Sequence, residues 1–400
     1  MSNTMFSSLL GRISGASAAA WDVGDLATRQ LAEGRDIIHL GVGDPDMDIA
    51  PIVREATIRA LASGRTHYSA LGGEPTLRAA IARHATGLYG VEVDPSDVAV
   101  CSGAQGALFS LFQLVAGPGD EVIVLSPYYA TYPAVVTAGG AEMVTVELLA
   151  EQDFHLDVAR VEAAITGRTR AILINAPSNP TGKVLTQGEI DAVLALARSR
   201  DLWLVSDEVY WSLCYDTPHI SPFSQRKEGD KIVVINSVSK SHAMTGFRIG
   251  WMIGPRALID AVTILAQSLH FGINQFAQDA AAAALADPAI PEAVQAVFRE
   301  RRDALVEALQ QIDGLRFSAP EGGMFLLVDV SATGLTGGAF AEGLLEAEGV
   351  AVVPGFGFGD AVAHMIRIGF LPAPDRLREA AGRIERFVRS LRVKARGRTP

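Results

Sequence analysis

The sequence predicts an α/β fold, a mainly parallel sheet flanked by helices, with a smaller α+β domain built from both chain ends. Short apolar, β-branched runs alternate with helical segments from residue 98 to residue 253, the pattern of strands joined by crossover helices. The alternation is absent near both ends of the chain. A composition of 49% hydrophobic and 20% charged residues over 400 residues suits a large core.

The first hundred residues predict mostly helices and loops. A helix is expected over 21–33, a short strand over 37–40, and helices over 51–63 and 75–89. The first of the latter two ends before Gly64, and the loop 66–73 carries exposed aromatic residues. These segments lead into the alternating region.

Strands and helices are expected in the following order. The predicted strands of the sheet are 98–101, 121–125, 142–146, 170–175, 202–206, 232–236 and 249–253, with helices such as 105–115 and 186–198 between them. Residues 257–285 are predicted to be helical and 290–312 to form one long helix, and the segments 323–330, 350–353 and 365–369 with a helix over 374–391 predict the smaller unit. We therefore expect a large domain of residues 51–287 and a small domain of residues 1–50 plus 288–400.

Charge and cysteine content exclude several classes of function. The net charge is −11, which makes nucleic acid and anionic membranes poor partners. The N-terminus lacks a basic leader, and no run of about 18 apolar residues is present, so neither a signal peptide nor a membrane span is expected. Cys101 and Cys214 lie in apolar surroundings, which favours buried reduced thiols and a cytoplasmic location.

A calcium loop is considered and rejected. The acidic residues Asp44, Asp46, Asp48 and Glu55 have the required spacing, but Ile49 stands where that loop needs glycine. Prolines also interrupt the segment. No metal site is expected.

Two glycine- or proline-containing motifs follow predicted strands. The segment 102–106, Ser-Gly-Ala-Gln-Gly, joins a strand to a helix, where free N–H groups can bind an anion; a tight turn explains it equally well. The segment 175–183 contains Asn179-Pro180 and Thr181-Gly182, which form a rigid turn. Asn179 could hold a ligand there, or the turn could be purely structural.

Two further motifs carry ionisable side chains. Asp207 ends a predicted buried strand, where an unpaired carboxylate is costly, so it needs a cationic partner unless it caps a helix. Tyr210 can reach the same ligand.

Lys240 follows another predicted buried strand and lies among small hydroxylated residues, with Arg248 eight positions further along the chain. A lysine that forms a Schiff base suits this position, with Ser237, Ser239 and Arg248 as anion binders, although Arg248 alone is an ordinary surface charge.

Together these groups describe a pocket for pyridoxal 5'-phosphate. That cofactor needs a lysine link, a phosphate cradle and an acidic partner for its ring nitrogen. The motifs Ser-Asn-Pro-Thr-Gly, Ser-Asp-Glu-Val-Tyr and Ser-Lys-Ser-His-Ala-Met-Thr-Gly-Phe-Arg-Ile-Gly also resemble those of the class I/II aminotransferases of fold type I. The resemblance extends over nearly the whole chain and implies the pyridoxal-phosphate-dependent transferase fold.

The resemblance implies a role for each matching residue. Lys240 holds the cofactor and moves the α-proton, Asp207 pairs with the ring nitrogen, and Asn179 and Tyr210 contact the phenolic oxygen. Tyr129 stacks on the ring. The phosphate ligands implied are Gly103, Ala104, Gln105, Ser237, Arg248 and, from the other subunit, Tyr68. A symmetric homodimer with its active site at the interface follows.

Gly43, Asn179 and Arg367 are the implied substrate ligands. Arg367, which without the resemblance would be an ordinary strand arginine, binds the substrate carboxylate as a bidentate fork. One departure is the segment 269–274, Leu-His-Phe-Gly-Ile-Asn, which replaces a Ser/Thr-rich stretch that reaches the neighbouring subunit's phosphate. That contact is in doubt, and Phe271 is a candidate for the substrate pocket.

The implied reaction is ping-pong transfer of an amino group from an L-amino acid to a 2-oxo acid. Several segments, including 18–22, 43–46 and 201–210, resemble arginine–pyruvate transaminases. Trp21 and Asp22 are candidates for the pocket mouth or for a packed N-terminal helix. The alternatives are a β-eliminating lyase on cysteine-type substrates, an aspartate or aromatic aminotransferase, and a ligand-binding regulator, which the sequence disfavours because it offers no basic DNA-binding module.

Overall fold

The computed structural model describes residues 6–15 and 19–396. Its α-helices are α1 Ser8–Ile13, α2 Asp22–Ala32, α3 Pro51–Ala62, α4 Pro75–Tyr89, α5 Gly103–Val115, α6 Tyr132–Thr137, α7 Val158–Ala164, α8 Gln187–Ser199, α9 Val238–Ser241, α10 Arg256–Leu269, α11 Gln275–Leu285, α12 Ala289–Leu309, α13 Gly337–Glu348 and α14 Pro374–Arg396. Its strands are β1 Ile38–His39, β2 Val98–Ser102, β3 Glu121–Ser126, β4 Glu142–Glu147, β5 Thr169–Asn175, β6 Trp203–Asp207, β7 Ile232–Ser237, β8 Ile249–Ile253, β9 Phe325–Asp329, β10 Val350–Ala351, β11 Val353–Pro354 and β12 Met365–Gly369.

Local sequence signals set several helix ends. Helices α3 and α4 begin with Pro51 and Pro75 at their first turn, where the missing N–H costs nothing. Helix α4 ends at Gly90, whose φ of 69° is left-handed. Helix α8 begins with a capping box in which Thr186 and Glu189 satisfy each other's backbone N–H groups.

A seven-stranded sheet in the order β2-β8-β7-β6-β5-β3-β4 forms the centre of the molecule. All neighbouring strands are parallel except β8, which is antiparallel to both β2 and β7. Alternate residues of each strand enter two different cores: Val234 packs in one, and Val233 and Ile235 in the other. Helices cover both faces, so the predicted α/β architecture with a mainly parallel sheet is confirmed.

A second core joins the two ends of the chain. It lies around the three-stranded antiparallel sheet β11-β12-β9 and the parallel pair β1-β10. Residues from the N-terminal segment, such as Leu40, pack there with Phe298, Phe340 and Ile368. The division into domains at residues 50 and 288 stays a prediction, to which this shared core lends support.

Two predicted features differ from the structure. The helical segment 257–285 is interrupted, because Phe271 and Gly272 both have positive φ values, 56° and 106°, and α10 and α11 are separate helices. Asp207 does not cap a helix; it precedes a turn, and its Oδ1 accepts a hydrogen bond from the Val209 N–H at 3.3 Å. Cys101 and Cys214 are buried and free, as predicted. None of the described helices is long and apolar enough to cross a membrane.

Candidate active site

The parallel strands β3, β5, β6 and β7 end at one edge of the central sheet, where ligands bind in open α/β folds. The residues at or just after their ends are Tyr129, Asn175, Asp207 and Ser237. All four line one cavity of about 220 Å³. The sheet topology therefore brings together side chains that are distant in sequence.

Lys240 lies in the short helix α9 and points into this cavity. Its Nζ donates a hydrogen bond to the Gly43 carbonyl oxygen. Burial, with the nearby charges of Arg248 and Arg367, lowers the pKa of Lys240 to about 8, against an opposing effect of Asp44. An appreciable share of neutral amine near neutral pH is what a nucleophilic lysine needs.

Asp207 is a buried carboxylate without a cationic side chain bonded to it among the described residues. The Tyr132 hydroxyl donates to its Oδ2 at 2.6 Å. Burial raises the pKa of Asp207 to about 6, although the Tyr132 and Val209 hydrogen bonds act in the opposite direction. A positively charged N–H in the cavity would remove this desolvation cost.

Two asparagines fix the wall between β5 and β6. Asn175 Nδ2 donates to the Asp207 backbone oxygen at 2.9 Å, and its Oδ1 accepts from the Asn179 N–H at 2.8 Å. Asn179 and Tyr210 are both buried and line the cavity. Burial raises the pKa of Tyr210, whose hydroxyl bonds Asn179, so the phenol stays protonated and can donate.

The opposite end of the cavity presents donors suited to an anion. Helix α5 begins at Gly103, and its N-cap residue Ser102 makes no side-chain capping hydrogen bond, so the helix presents N–H groups and a positive dipole end. A Cβ at Gly103 would lie 2.4 Å from Arg248 Nη2, so glycine lets the guanidinium lie against the turn. Ala104 and Gln105 line the cavity with Ser237.

Arg367 is a fully buried cation in a cage of aromatic rings. Its Cζ lies 3.9 Å from the ring centroid of Phe325, 4.9 Å from that of Phe358 and 5.5 Å from that of Trp21. Nη1 donates to Asn179 Oδ1 at 3.0 Å and Nη2 to the Gly41 oxygen at 2.7 Å, while Nε has no hydrogen-bond partner among the described residues. Burial lowers the pKa of Arg367 to about 10. A buried guanidinium without a carboxylate partner suits an incoming carboxylate.

Most of the predicted site residues line this single cavity. They are Gly43, Ala104, Gln105, Tyr129, Asn179, Asp207, Tyr210, Ser237, Lys240, Arg248 and Arg367. Gly103 lies directly beneath Arg248. Tyr68 lies outside the cavity with 79% of its surface exposed, and packs against Phe271 at 5.1 Å between ring centroids.

Some lining residues were not assigned from the sequence. Tyr132 and Phe325 have no role in the sequence argument, and Asn175 appears there only as the start of a motif. Trp21 lines the cavity, whereas Asp22 and Phe271 do not. A third tyrosine within six residues of the end of β3 was the available signal for Tyr132.

The residues present fit pyridoxal 5'-phosphate. The cavity has a lysine with a lowered pKa on its wall and an uncapped helix N-terminus beside an arginine. It also has a buried carboxylate that is bonded to no cationic side chain among the described residues. These are the three groups that the cofactor's aldehyde, phosphate and ring nitrogen require. The match rests on the chemistry of the donors.

The chain is similar in sequence and structure to known aminotransferases. The family model for aminotransferase class I and II matches residues 35–384. The arginine–pyruvate transaminase of Pseudomonas aeruginosa is 44% identical over 95% of this chain and 97% of its own. The aspartate/prephenate aminotransferase of Thermus thermophilus is 40% identical over 90% of this chain and 92% of its own.

A solved structure agrees with these matches. The Thermus thermophilus aspartate aminotransferase with maleate has a TM-score of 0.91 and 38% identity, covering 96% of this chain and 99% of that one. The predicted resemblance and the fold-type-I assignment are therefore confirmed. The chain belongs to the class I and II aminotransferases, enzymes that use pyridoxal 5'-phosphate to transfer an amino group between an amino acid and a 2-oxo acid.

Proposed function

We propose that the cavity around Lys240 is the transamination site, with each residue acting as the family resemblance implies. The observation that carries the proposal is the presence in one cavity of the half-buried Lys240 with the buried Asp207 and Arg367, three ionisable groups without a counter-charge bonded to them among the described residues. The pKa of each group is shifted because its charged form is desolvated without a bonded counter-charge. Such pKa shifts are common at functional sites.

The roles follow from the positions of the groups. When bound, the cofactor supplies an electron sink for the substrate's α-carbon. Lys240 Nζ, whose pKa is lowered, acts first as the general base that takes up the α-proton. It then acts as the general acid that gives this proton back at a different carbon. The ionised Asp207 carboxylate favours a protonated ring nitrogen, and Tyr132 holds that carboxylate in place. Asn179 and Tyr210 donate hydrogen bonds at the same wall.

Arg367 orients the substrate in this scheme. Its Nη1 and Nη2 are pre-positioned by Asn179 and the Gly41 oxygen, so a carboxylate can bind two N–H groups at once. Gly43 adds a backbone contact, and a Cβ there would lie 2.8 Å from Phe325 Cζ. Fixing the carboxylate fixes which bond at the α-carbon faces Lys240.

The anion end and the ring face complete the site. Gly103, Ala104 and Gln105 offer the helix N-terminus to a phosphate, and Arg248, whose Nη1 is held by the Thr245 oxygen at 2.9 Å, adds a positive charge. Ser237 lines the same end, and Tyr129 lies along the cavity wall where it can stack on a ring.

Tyr68 supports a homodimer. Its ring is 79% exposed and lies outside its own chain's cavity, which suits a side chain that reaches the phosphate of a partner subunit. Phe271 packs on it, so the segment that replaces the Ser/Thr-rich stretch helps to hold Tyr68. A cytoplasmic location, proposed from the two free cysteines, completes this picture.

For the substrate pair we propose L-arginine and pyruvate. The similarity to the arginine–pyruvate transaminase supports this choice. The cations that line the cavity among the described residues are Lys240, Arg248 and Arg367, and each already has a proposed role. Asp44, close enough to raise the pKa of Lys240, offers a carboxylate to a basic side chain.

An aspartate substrate is the second candidate. The aspartate/prephenate aminotransferase match favours it. A second substrate carboxylate would need another cation, and the cavity of one chain provides none among the described residues beyond those three. The partner subunit would have to supply it.

The test is a set of half-reactions with single amino acids. Mixing the holoenzyme with L-arginine should abolish the visible absorbance of the lysine-linked cofactor, and pyruvate should restore it. A faster response to L-aspartate would favour the second candidate. Release of pyruvate and ammonia from cysteine without any 2-oxo acid would instead establish a β-eliminating lyase, and no response to any amino acid would refute transamination.

A further inference from the structure

A second cavity lies apart from the transamination site. It has a volume of about 600 Å³ and shares no lining residue with the first cavity. Its walls come from α4, the segment after Tyr210, His242 and the start of α12. The volume falls within the range of about 300–1,000 Å³ typical of small-molecule sites.

Several polar side chains of this cavity have an atom that is unpaired among the described residues. Eight buried side-chain N or O atoms have no hydrogen-bond partner among the described residues, and four of them belong to residues that line it. These four are His84 Nε2, Trp211 Nε1, Ser212 Oγ and His219 Nδ1. Such atoms are costly to bury unless a ligand or water pairs with them. Their concentration at one place singles out this cavity.

His219 shows what kind of head group fits. Its side chain is 6% exposed, and its Nε2 donates to Glu208 Oε2 at 3.0 Å. Glu208 also accepts from Tyr89 at 2.9 Å and from Ser221 at 2.6 Å. His219 Nδ1 is then an acceptor in the neutral ring and a donor in the protonated ring. A head group that both donates and accepts satisfies either state.

The other polar atoms limit the charge of the head group. Trp211 Nε1 can only donate, so the ligand must present an acceptor. Burial lowers the pKa of His84 to about 4 and that of His242 to about 3, so both rings are neutral near pH 7. Arg299 is paired with Asp216 at 3.0 Å. An anion would meet no unpaired arginine or lysine among the described residues that line the cavity.

Much of the remaining wall is apolar, beside the carboxylates of Asp287 and Glu292. Leu88, Leu285, Pro288 and Pro291 line it and offer a hydrophobic surface to the body of a ligand. We propose that this second cavity binds a small uncharged molecule with an apolar body and a head group that both donates and accepts hydrogen bonds, such as a primary carboxamide. This site is additional to transamination and does not depend on which amino acid is the substrate.

The probe for the test is benzamide, with benzoate and benzylamine as charged molecules of the same size. Calorimetric titration of the holoenzyme should give saturable benzamide binding that persists at saturating amino acid substrate. Benzoate and benzylamine should bind at least about tenfold more weakly, since each leaves buried polar atoms unpaired. A crystal soaked with benzamide should place its amide against Trp211 and His219.

Trp211→Phe keeps the ring but removes the N–H, and should weaken benzamide binding about fivefold. Trp203→Phe, in strand β6 and outside this cavity, is the matched control and should leave binding unchanged. Absence of benzamide binding, displacement by amino acid substrate, stronger binding of benzoate, or soaked crystals with water alone in the cavity would each overturn the proposal. The soak needs no variant, so misfolding of Trp211→Phe would not obscure the result.

Discussion

The Tyr132 hydroxyl donates a 2.6 Å hydrogen bond to Oδ2 of Asp207, and both groups are buried. The two residues lie in different elements, Tyr132 at the start of α6 and Asp207 at the end of β6. The bond joins them at the floor of the cavity. It stabilises the ionised form of Asp207, the form that a protonated ring nitrogen requires.

Tyr132→Phe should shift the acid side of the pH–activity profile. Losing the hydrogen bond raises the pKa of Asp207, because that bond lowers it. A hydrogen bond to a charged group contributes about 1.5 kcal/mol, so the acid limb of kcat/KM should move to higher pH by about one unit. Tyr215→Phe, which removes a buried hydroxyl outside the first cavity, is the control. A uniform loss at every pH would contradict this role.

Asp207→Asn should make the cofactor-free protein more stable at pH 8 but not at pH 4. Burial raises the pKa of Asp207 from 3.8 to about 6, so the folded chain holds this proton more tightly than the unfolded chain. The resulting destabilisation is absent below about pH 4, develops up to about pH 6 and is at most about 3 kcal/mol above it.

Denaturant unfolding at the two pH values measures this difference for Asp207→Asn, and the exposed Asp375→Asn serves as control. The same Asp207→Asn variant should lose about 100-fold or more of its activity when loaded with cofactor. Equal stabilisation at pH 4 and pH 8 would show that the carboxyl is not the cause.

Arg367→Lys should lower kcat/KM by about 30-fold or more. A lysine keeps the charge but cannot offer two parallel N–H donors, and it also loses the planar contact with Phe325. Steady-state kinetics with amino acid and 2-oxo acid would show the loss for both half-reactions. Arg316→Lys, whose side chain is 71% exposed and paired with Asp329, should be unchanged. Less than a threefold loss for Arg367→Lys would remove it from the carboxylate site.

Tyr68→Phe should weaken cofactor binding in a manner that depends on the partner subunit. If Tyr68 acts across the interface, a mixed dimer of Tyr68→Phe and Lys240→Ala chains contains one site with both residues intact. That site should bind the cofactor as tightly as the parent enzyme, as measured by fluorescence titration of purified mixed dimers. If no mixed dimer binds the cofactor tightly, Tyr68 belongs to its own chain's site. A catalytically competent monomer in sedimentation would refute the dimer.

The sequence predicted the strands of the central sheet to within one or two residues, and 249–253 exactly as Ile249–Ile253. Buried parallel strands are uniform apolar runs, which makes them easy to locate. The antiparallel placement of β8 between β2 and β7 was not predicted, because apolar pattern carries no information about direction. The break near Phe271 was also missed, since a non-glycine residue with φ of 56° has no clear sequence signal.

The site was predicted mainly through motifs. Lys240, Asp207 and Asn179 stand in short segments with distinctive neighbours, so their roles could be inferred. Tyr132 and Phe325 touch the cavity only through tertiary packing, and their neighbours in sequence do not reveal it. The aromatic cage of Arg367 brings Trp21 close to Phe325, and the second cavity brings His84 close to Trp211, so each joins segments more than a hundred residues apart.

The central claim is that Lys240 carries the cofactor. Borohydride reduction of the holoenzyme, followed by digestion and mass spectrometry, would locate the covalent bond. We predict that the cofactor mass lies on the peptide that contains Lys240, and that Lys240→Ala yields no reduced adduct and no transamination. A reduced adduct on another residue such as Lys183, which is paired with Asp153 at 2.9 Å, or an adduct that persists in Lys240→Ala, would contradict the account.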